Sequence, residues 1–111
     1  DYICYWDLVF TSGDEERDSS AAAIAACGLL ELAKHLPLTD VYRTIYENAA
    51  MHMLYNLALK YTTAGMKSNG VLGHAVYSKP NHEGVDECVI WGDYFYLEAL
   101  TRLLKDWRLY W

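Results

Sequence analysis

The stretch DSSAAAIAACGLLEL, residues 18–32, decides how the chain is read, because it encodes a helix with almost no wet side. Asp18, Ser19 and Ser20 are N-cap residue types, whose side-chain oxygens accept from the free backbone N–H groups of a first helical turn. From Ser19 to Leu30 no residue carries a charge. A surface helix keeps a polar face toward water, so this one is predicted to be an inner helix, surrounded on most sides. Its alanines and Gly28 would let neighbouring helices approach closely. Pro37 sets its end, since proline cannot continue the hydrogen-bond ladder.

The following segment predicts a second, longer helix, capped by Thr39 or Asp40 and ended by Gly65. Val41, Ile45 and Ala49 form one apolar row, and Tyr46, Ala50 and Met53 form another. Arg43, Glu47, Asn48, His52, Asn56 and Lys60 give it the wetter side of an outer helix. His52 has no second ligand at metal spacing and reads as a surface histidine. Upstream, an aromatic run closes in the charged turn TSGDEER, residues 11–17, an exposed loop. Downstream, residues 65–90 form a long connection in which VLGHAVY, residues 71–77, suits a short strand or hairpin. Connections of that length are uncommon in compact helical chains and often functional. A third helix is predicted from Trp91 to Trp111, with Asp93 favourable to its dipole in the first turn.

The whole is read as one all-α domain of inner, outer and inner helices joined by a long loop. Three helices, one of them stripped of charge, do not close a core alone. Either further chain completes it or the exposed interior surface drives association. The chain begins with Asp1 rather than Met, which reads as a fragment or a processed piece.

Bulk properties narrow the function classes. With 111 residues the chain is sized for one domain, and 53% hydrophobic against 22% charged residues argues for a folded one. A net charge of −6 disfavours nucleic acid as a partner, because phosphate binding needs a basic surface. No apolar run reaches the roughly 18 residues that a membrane span needs. Cys4, Cys27 and Cys88 lack CxxC spacing and read as reduced thiols of a cytoplasmic chain.

Two clusters carry candidate chemistry. Between His74 and Glu83 lie an imidazole, a hydroxyl, an ammonium, amides and a carboxylate, the donors and acceptors that recognise a polar ligand; an ordinary solvated loop has the same composition. In WGDYFY, residues 91–96, rings stand beside a carboxylate, which suits a sugar whose C–H faces stack and whose hydroxyls bond to acids. From spacing alone, core packing against neighbouring helices is the favoured account of those rings. No nucleophile elbow, phosphate loop or zinc-protease motif is present.

At these residues a resemblance enters. DSSAAAIAACGLLEL together with GVDECVIWGDYFYLEALTRL, residues 84–103, and YWDLVF, residues 5–10, closely resembles the unsaturated glucuronyl hydrolases of glycoside hydrolase family 88. The resemblance runs from about Tyr5 to Trp111. It implies that residues 1–111 are the carboxyl-terminal part of a single (α/α)6 barrel catalytic domain, about three of its twelve helices. It implies removal of the unsaturated uronic acid from lyase-generated oligosaccharides, with no metal or organic cofactor. The reaction it implies is a hydration: an aspartate would protonate the C4–C5 double bond and water would add at C5, and the hemiketal would then open and release the remaining saccharide. The essential aspartates are expected upstream, so none is carried onto Asp7, Asp18, Asp86 or Asp93. His74 resembles the family's substrate-contacting histidine of the last long loop, with Ser78, Trp91 and Trp6 as further substrate-binding candidates. In a Ser-x-x-Ser-x-Lys sulfate arrangement, the matching positions read Ser78, Asn81 and Glu83. A glutamate in place of the lysine repels sulfate, so an unsulfated substrate is expected. The competing reading is a non-catalytic helical interaction module, or an inert truncated fragment.

Overall fold

A computed structural model describes residues 1–108. Three helices form its frame: α1 (Ser19–Lys34), α2 (Val41–Asn56) and α3 (Ile90–Leu104). A two-stranded antiparallel hairpin, β1 (Ala75–Ser78) and β2 (Glu83–Glu87), stands between the second and third helices. Three helices with a hairpin between the second and third are observed as expected, although the hairpin spans 75–87 rather than lying within 71–77. The expected extension of the third helix to Trp111 stops at Leu104, and residues 109–111 lie outside the described residues.

The caps explain where the first two helices begin. Asp18 is extended, and its carboxylate accepts from the Ser20 N–H at 3.0 Å. Asp40, not Thr39, does the same for α2, accepting from Tyr42 N–H at 2.8 Å. α2 runs on past Asn56 through one π-helical turn, Leu57–Tyr61, and ends before Gly65. The reason is a competing partner. Gly73 N–H donates to the Tyr61 carbonyl at 2.8 Å, and Thr63 N–H to the Val71 carbonyl at 3.0 Å, so the chain leaves the helix extended. Gly65, with φ of +82°, serves instead in the turn that follows.

α1 and α3 run parallel, because their contacts keep the same order along both helices. Trp91 donates to Ser20 at 3.2 Å, Cys27 to the Phe95 carbonyl at 3.2 Å, and Arg102 pairs with Glu31. Gly92 permits this approach, for a Cβ there would sit 3.2 Å from that of Ser20. Arg102 also grips Glu98 one turn back at 2.8 Å, and both side chains are almost wholly buried. Such an enclosed pair fixes register more than it adds stability, because desolvation offsets most of the attraction.

The core gathers where α1, α2 and α3 meet, around Ala23, Ala26, Ala50, Leu54, Leu57 and Ala99. Small residues on α1 let the other two helices lie close. The far side of α1 remains open: Ile24 and Leu32 are 41% and 45% exposed. Tyr94 and Leu97 of α3 are open as well. The helix without charge is therefore covered on one side only by the described residues. Among them no helix is long and apolar enough to cross a membrane.

Candidate functional site

Several segments converge on the amino-terminal ends of α1 and α3. Ser19 is the anchor: its N–H donates to the His74 carbonyl at 3.1 Å and its hydroxyl to the Gly73 carbonyl at 2.6 Å. Asp18 does more than cap. One carboxylate oxygen accepts from the Ser20 N–H, from the Ser20 hydroxyl at 2.7 Å, and from Val76 N–H at 3.4 Å. The Ser20 hydroxyl in turn accepts from the Trp91 indole N–H. The start of α1 thus ties together β1 and the start of α3.

Within this junction His74 and Asp86 meet. The imidazole Nδ1 lies 2.6 Å from an Asp86 carboxylate oxygen. Both residues have positive φ, +60° and +61°. The hairpin register explains Asp86: Ala75 faces Glu87 and Val76 faces Val85, so Asp86 is the extra residue of a bulge. Asp and His are among the few side chains that tolerate this backbone region. The Tyr61 ring meets the imidazole edge to face, with centroids 5.6 Å apart. A cavity of about 290 Å3 opens here, lined by Arg17, Lys60, Tyr61, His74 and Asp86. Burial pushes the Tyr61 phenol above its ordinary value, so it stays a neutral donor, given to Asp1 at 2.9 Å. Arg17 lies over the Tyr5 ring at 3.8 Å and donates to the Ile3 carbonyl at 2.6 Å.

The other candidates fall around this cavity rather than in it. Trp91 is partly open, and its ring lies 5.6 Å from that of Tyr77 on β1. Ser78 and Asn81 bond to each other at the hairpin tip, at 2.9 Å, and exposed Glu83 faces Ser78 across the ladder. Trp6 donates to Glu15 at 3.1 Å. Lys79, one position beyond Ser78, is held by Glu15 at 2.7 Å and by Glu16, with its ammonium 5.5 Å from the Trp6 ring. Those contacts hold both glutamates below the ordinary carboxylate range and raise Lys79 above its own. Hence the one lysine near the tip is already occupied.

Sequence reasoning missed Arg17, Tyr61 and Asp86. The only local signal for Asp86 was an aspartate in a glycine-flanked strand, a common place for a bulge. Nothing along the chain pairs residue 86 with residue 74. His52 is a surface histidine as expected, stacked on Tyr2 at 5.1 Å. A larger cavity, about 410 Å3, lies at the opposite ends of α1 and α3, where Lys34 and Arg102 are committed to Glu31. Among the described residues no cluster of three His, Cys, Asp or Glu side chains could hold a metal ion.

No protein-family model matches the chain. The chain is 51% identical to an unsaturated chondroitin disaccharide hydrolase of Streptococcus pneumoniae; the alignment covers all of this chain and 28% of that protein. It superposes on a solved mutant of the unsaturated glucuronyl hydrolase of Streptococcus agalactiae with a TM-score of 0.92 and 45% identity. That match covers all of this chain and 32% of the solved one. A second mutant of the same enzyme, solved in complex with dGlcA-GalNAc6S, matches at a TM-score of 0.90 over 98% of this chain. The chain therefore spans under a third of the length of these relatives.

Proposed function

Since the chain belongs to the unsaturated glucuronyl and chondroitin disaccharide hydrolase family, we propose that it serves that reaction as part of an (α/α)6 barrel. The substrates are unsaturated disaccharides made by lyases from glycosaminoglycans. A proton is delivered to C4 and water to C5, and the hemiketal so formed opens to release the second sugar. The proton donor lies in the rest of the barrel. These residues supply one wall of the pocket, with His74 contacting the sugar and Ser78, Trp91 and Trp6 near it.

One observation carries the reading: the match covers all of this chain at 45% identity and a TM-score of 0.92. The open faces of α1 and α3 agree with it, because the remaining inner helices would cover Ile24, Leu32 and Leu97.

The preferred substrate is unsulfated. Glu83 is exposed at the tip where a cation would be wanted, and Lys79 is neutralised by Glu15 and Glu16. The test is turnover by the full-length protein, followed as the loss of C4–C5 double-bond absorbance. Consumption of unsaturated disaccharides is expected, the unsulfated one faster. No turnover of either refutes the hydrolase reading, and faster sulfated turnover refutes the preference alone.

A further inference from the structure

We infer that Asp86 is a positioning residue, which fixes the His74 imidazole with its proton on Nδ1 so that Nε2 accepts a hydrogen bond from a saccharide hydroxyl. The inference deepens the proposed function and rests on it for the identity of the ligand, but not for the pairing itself.

Three observations converge. The Nδ1 to carboxylate distance of 2.6 Å is that of a charge-assisted hydrogen bond, and a carboxylate can only accept. The proton therefore lies on Nδ1, and Nε2 of the neutral ring has a free lone pair. Among the described residues Nε2 makes no hydrogen bond. Second, the ring is held from the other side by Tyr61, edge to face, so its plane is set by two neighbours. Third, both backbones are in the left-handed region, and the bulge that puts Asp86 there also breaks the hairpin ladder between Ala75 and Val76. A ladder in regular register would place residue 86 differently and leave the histidine unpaired.

The pair belongs to a wall that polar ligands can reach. His74 keeps 43% of its side chain exposed and Asp86 58%, beside the cavity shared with Arg17 and Lys60. An exposed pair of this kind adds little to stability. Its effect is on which nitrogen is presented. A neutral histidine free to change tautomer offers a donor or an acceptor in turn; a neutral one locked by a carboxylate offers only the acceptor.

Two variants separate the roles. Asp86→Asn keeps an acceptor oxygen and tolerates positive φ; Asp86→Gly keeps the backbone without strain and removes the acceptor. The readout is the long-range proton–nitrogen correlation of the imidazoles in the full-length protein, at about pH 9 where free imidazole is neutral. His74→Gln assigns the signals. Wild type and Asp86→Asn are expected to show an unprotonated Nε2, and Asp86→Gly an averaged shift. In turnover of the unsaturated disaccharide, Asp86→Gly should raise KM about tenfold, the equivalent of one hydrogen bond, with kcat changed less. Asp86→Asn should restore KM to within about twofold of wild type on the same reasoning. A protonated Nε2 in wild type overturns the inference, as does Asp86→Asn being as impaired as Asp86→Gly. An Nε2 that is unprotonated in wild type and averaged in Asp86→Gly, with no turnover of any disaccharide, supports the pairing and refutes the hydrolase reading.

Discussion

Removing the Asp93 carboxylate should loosen the segment that carries His74, although the two residues belong to different elements. Asp93 lies in the first turn of α3, which has no side-chain N-cap. One of its oxygens accepts from two successive backbone N–H groups, Val71 at 2.9 Å and Leu72 at 2.7 Å. The two bonds are unequal in worth. Val71 is open to solvent and its N–H can turn to water, whereas Leu72 is fully buried. A bond from a sheltered donor to a charged acceptor contributes about 1.5–3 kcal/mol, and leaving the donor unpaired costs a similar amount. The acid near the helix amino terminus adds about 0.3–1 kcal/mol. Asp93→Ala should therefore cost about 2–4 kcal/mol, most of it in the Leu72 contact. Amide hydrogen exchange reads this locally: Leu72 should exchange about thirtyfold faster or more, since each 1.4 kcal/mol is tenfold. Asp93→Asn retains an acceptor oxygen and should lose about half as much. The full-length protein is the proper sample, as Asp93 borders the open faces of α1 and α3. Leu72 exchange within about threefold of wild type in Asp93→Ala would refute the reasoning, because the bond would then hold nothing. Equal damage from Asn and Ala would show that charge, not the hydrogen bonds, does the holding.

Three further expectations follow from the same geometry. The clasp of Lys79 on Glu15 and Glu16 is present while the glutamates are ionised, and their folded values lie below the ordinary 4.5. It is accordingly lost as pH falls through those lowered values; at the alkaline end it survives past 10.5, because Lys79 is raised. Fluorescence attributable to Trp6, from a Trp6→Phe difference, should change with an acid midpoint below 4.5, and a midpoint above it rules the clasp out. Gly70→Ala should destabilise the segment before β1, for its Cβ would come 2.5 Å from Cβ and 2.7 Å from Sγ of Cys88. Adding Cys88→Ala removes only the sulfur, so urea midpoints should show partial rescue; complete rescue would mean the Cβ contact is soft. Burial pushes the Cys27 thiol up to about 12, while Cys88 is exposed. A thiol reagent at about pH 8 should label Cys88 and spare Cys27 in the folded protein, and prompt labelling of Cys27 would contradict the packing of α1 on α3.

How much of this was legible in the sequence depended on how local each signal was. Asp18 and Asp40 cap helices by contacts to residues two positions on, and the pattern alone narrowed each cap to two or three adjacent residues. The helix over the charge-free run of α1 was legible for the same reason: its cap and composition are properties of neighbouring residues. The end of α2 was misplaced because its last turn is decided by Gly73, twelve residues past Tyr61, which takes the Tyr61 carbonyl. The hairpin was half read. β1 has β-branched and aromatic character, but β2 is Glu-Gly-Val-Asp-Glu, whose composition argues against a strand and which forms one only against β1. The site suffered most. His74 stood out only through its family resemblance, and its partners Asp86, Tyr61 and Arg17 come from three other segments. Register and bulge position are set by pairing, not by composition, so the His74–Asp86 contact had no signature along the chain.

The junction also explains why packing and chemistry resist separation in this chain. Asp18 satisfies the first turn of α1, accepts from β1 through Val76, and through Ser20 reaches the Trp91 indole. Asp93 secures the approach to His74 from the start of α3. α1 and α3 thus each commit polar residues at their starts to the segment between Gly70 and Val76, which is otherwise without regular structure before β1. Backbone groups in such a segment need partners when buried. Helix starts provide them cheaply, because a carboxylate there already faces unsatisfied N–H groups. A substitution at Asp18 or Asp93 consequently acts on the segment that carries His74 without touching the imidazole, whereas one at Asp86 alters the histidine and leaves the helices intact. On the proposed function, stability should fall and KM rise together for the first two, whereas for the third KM should rise with stability little changed.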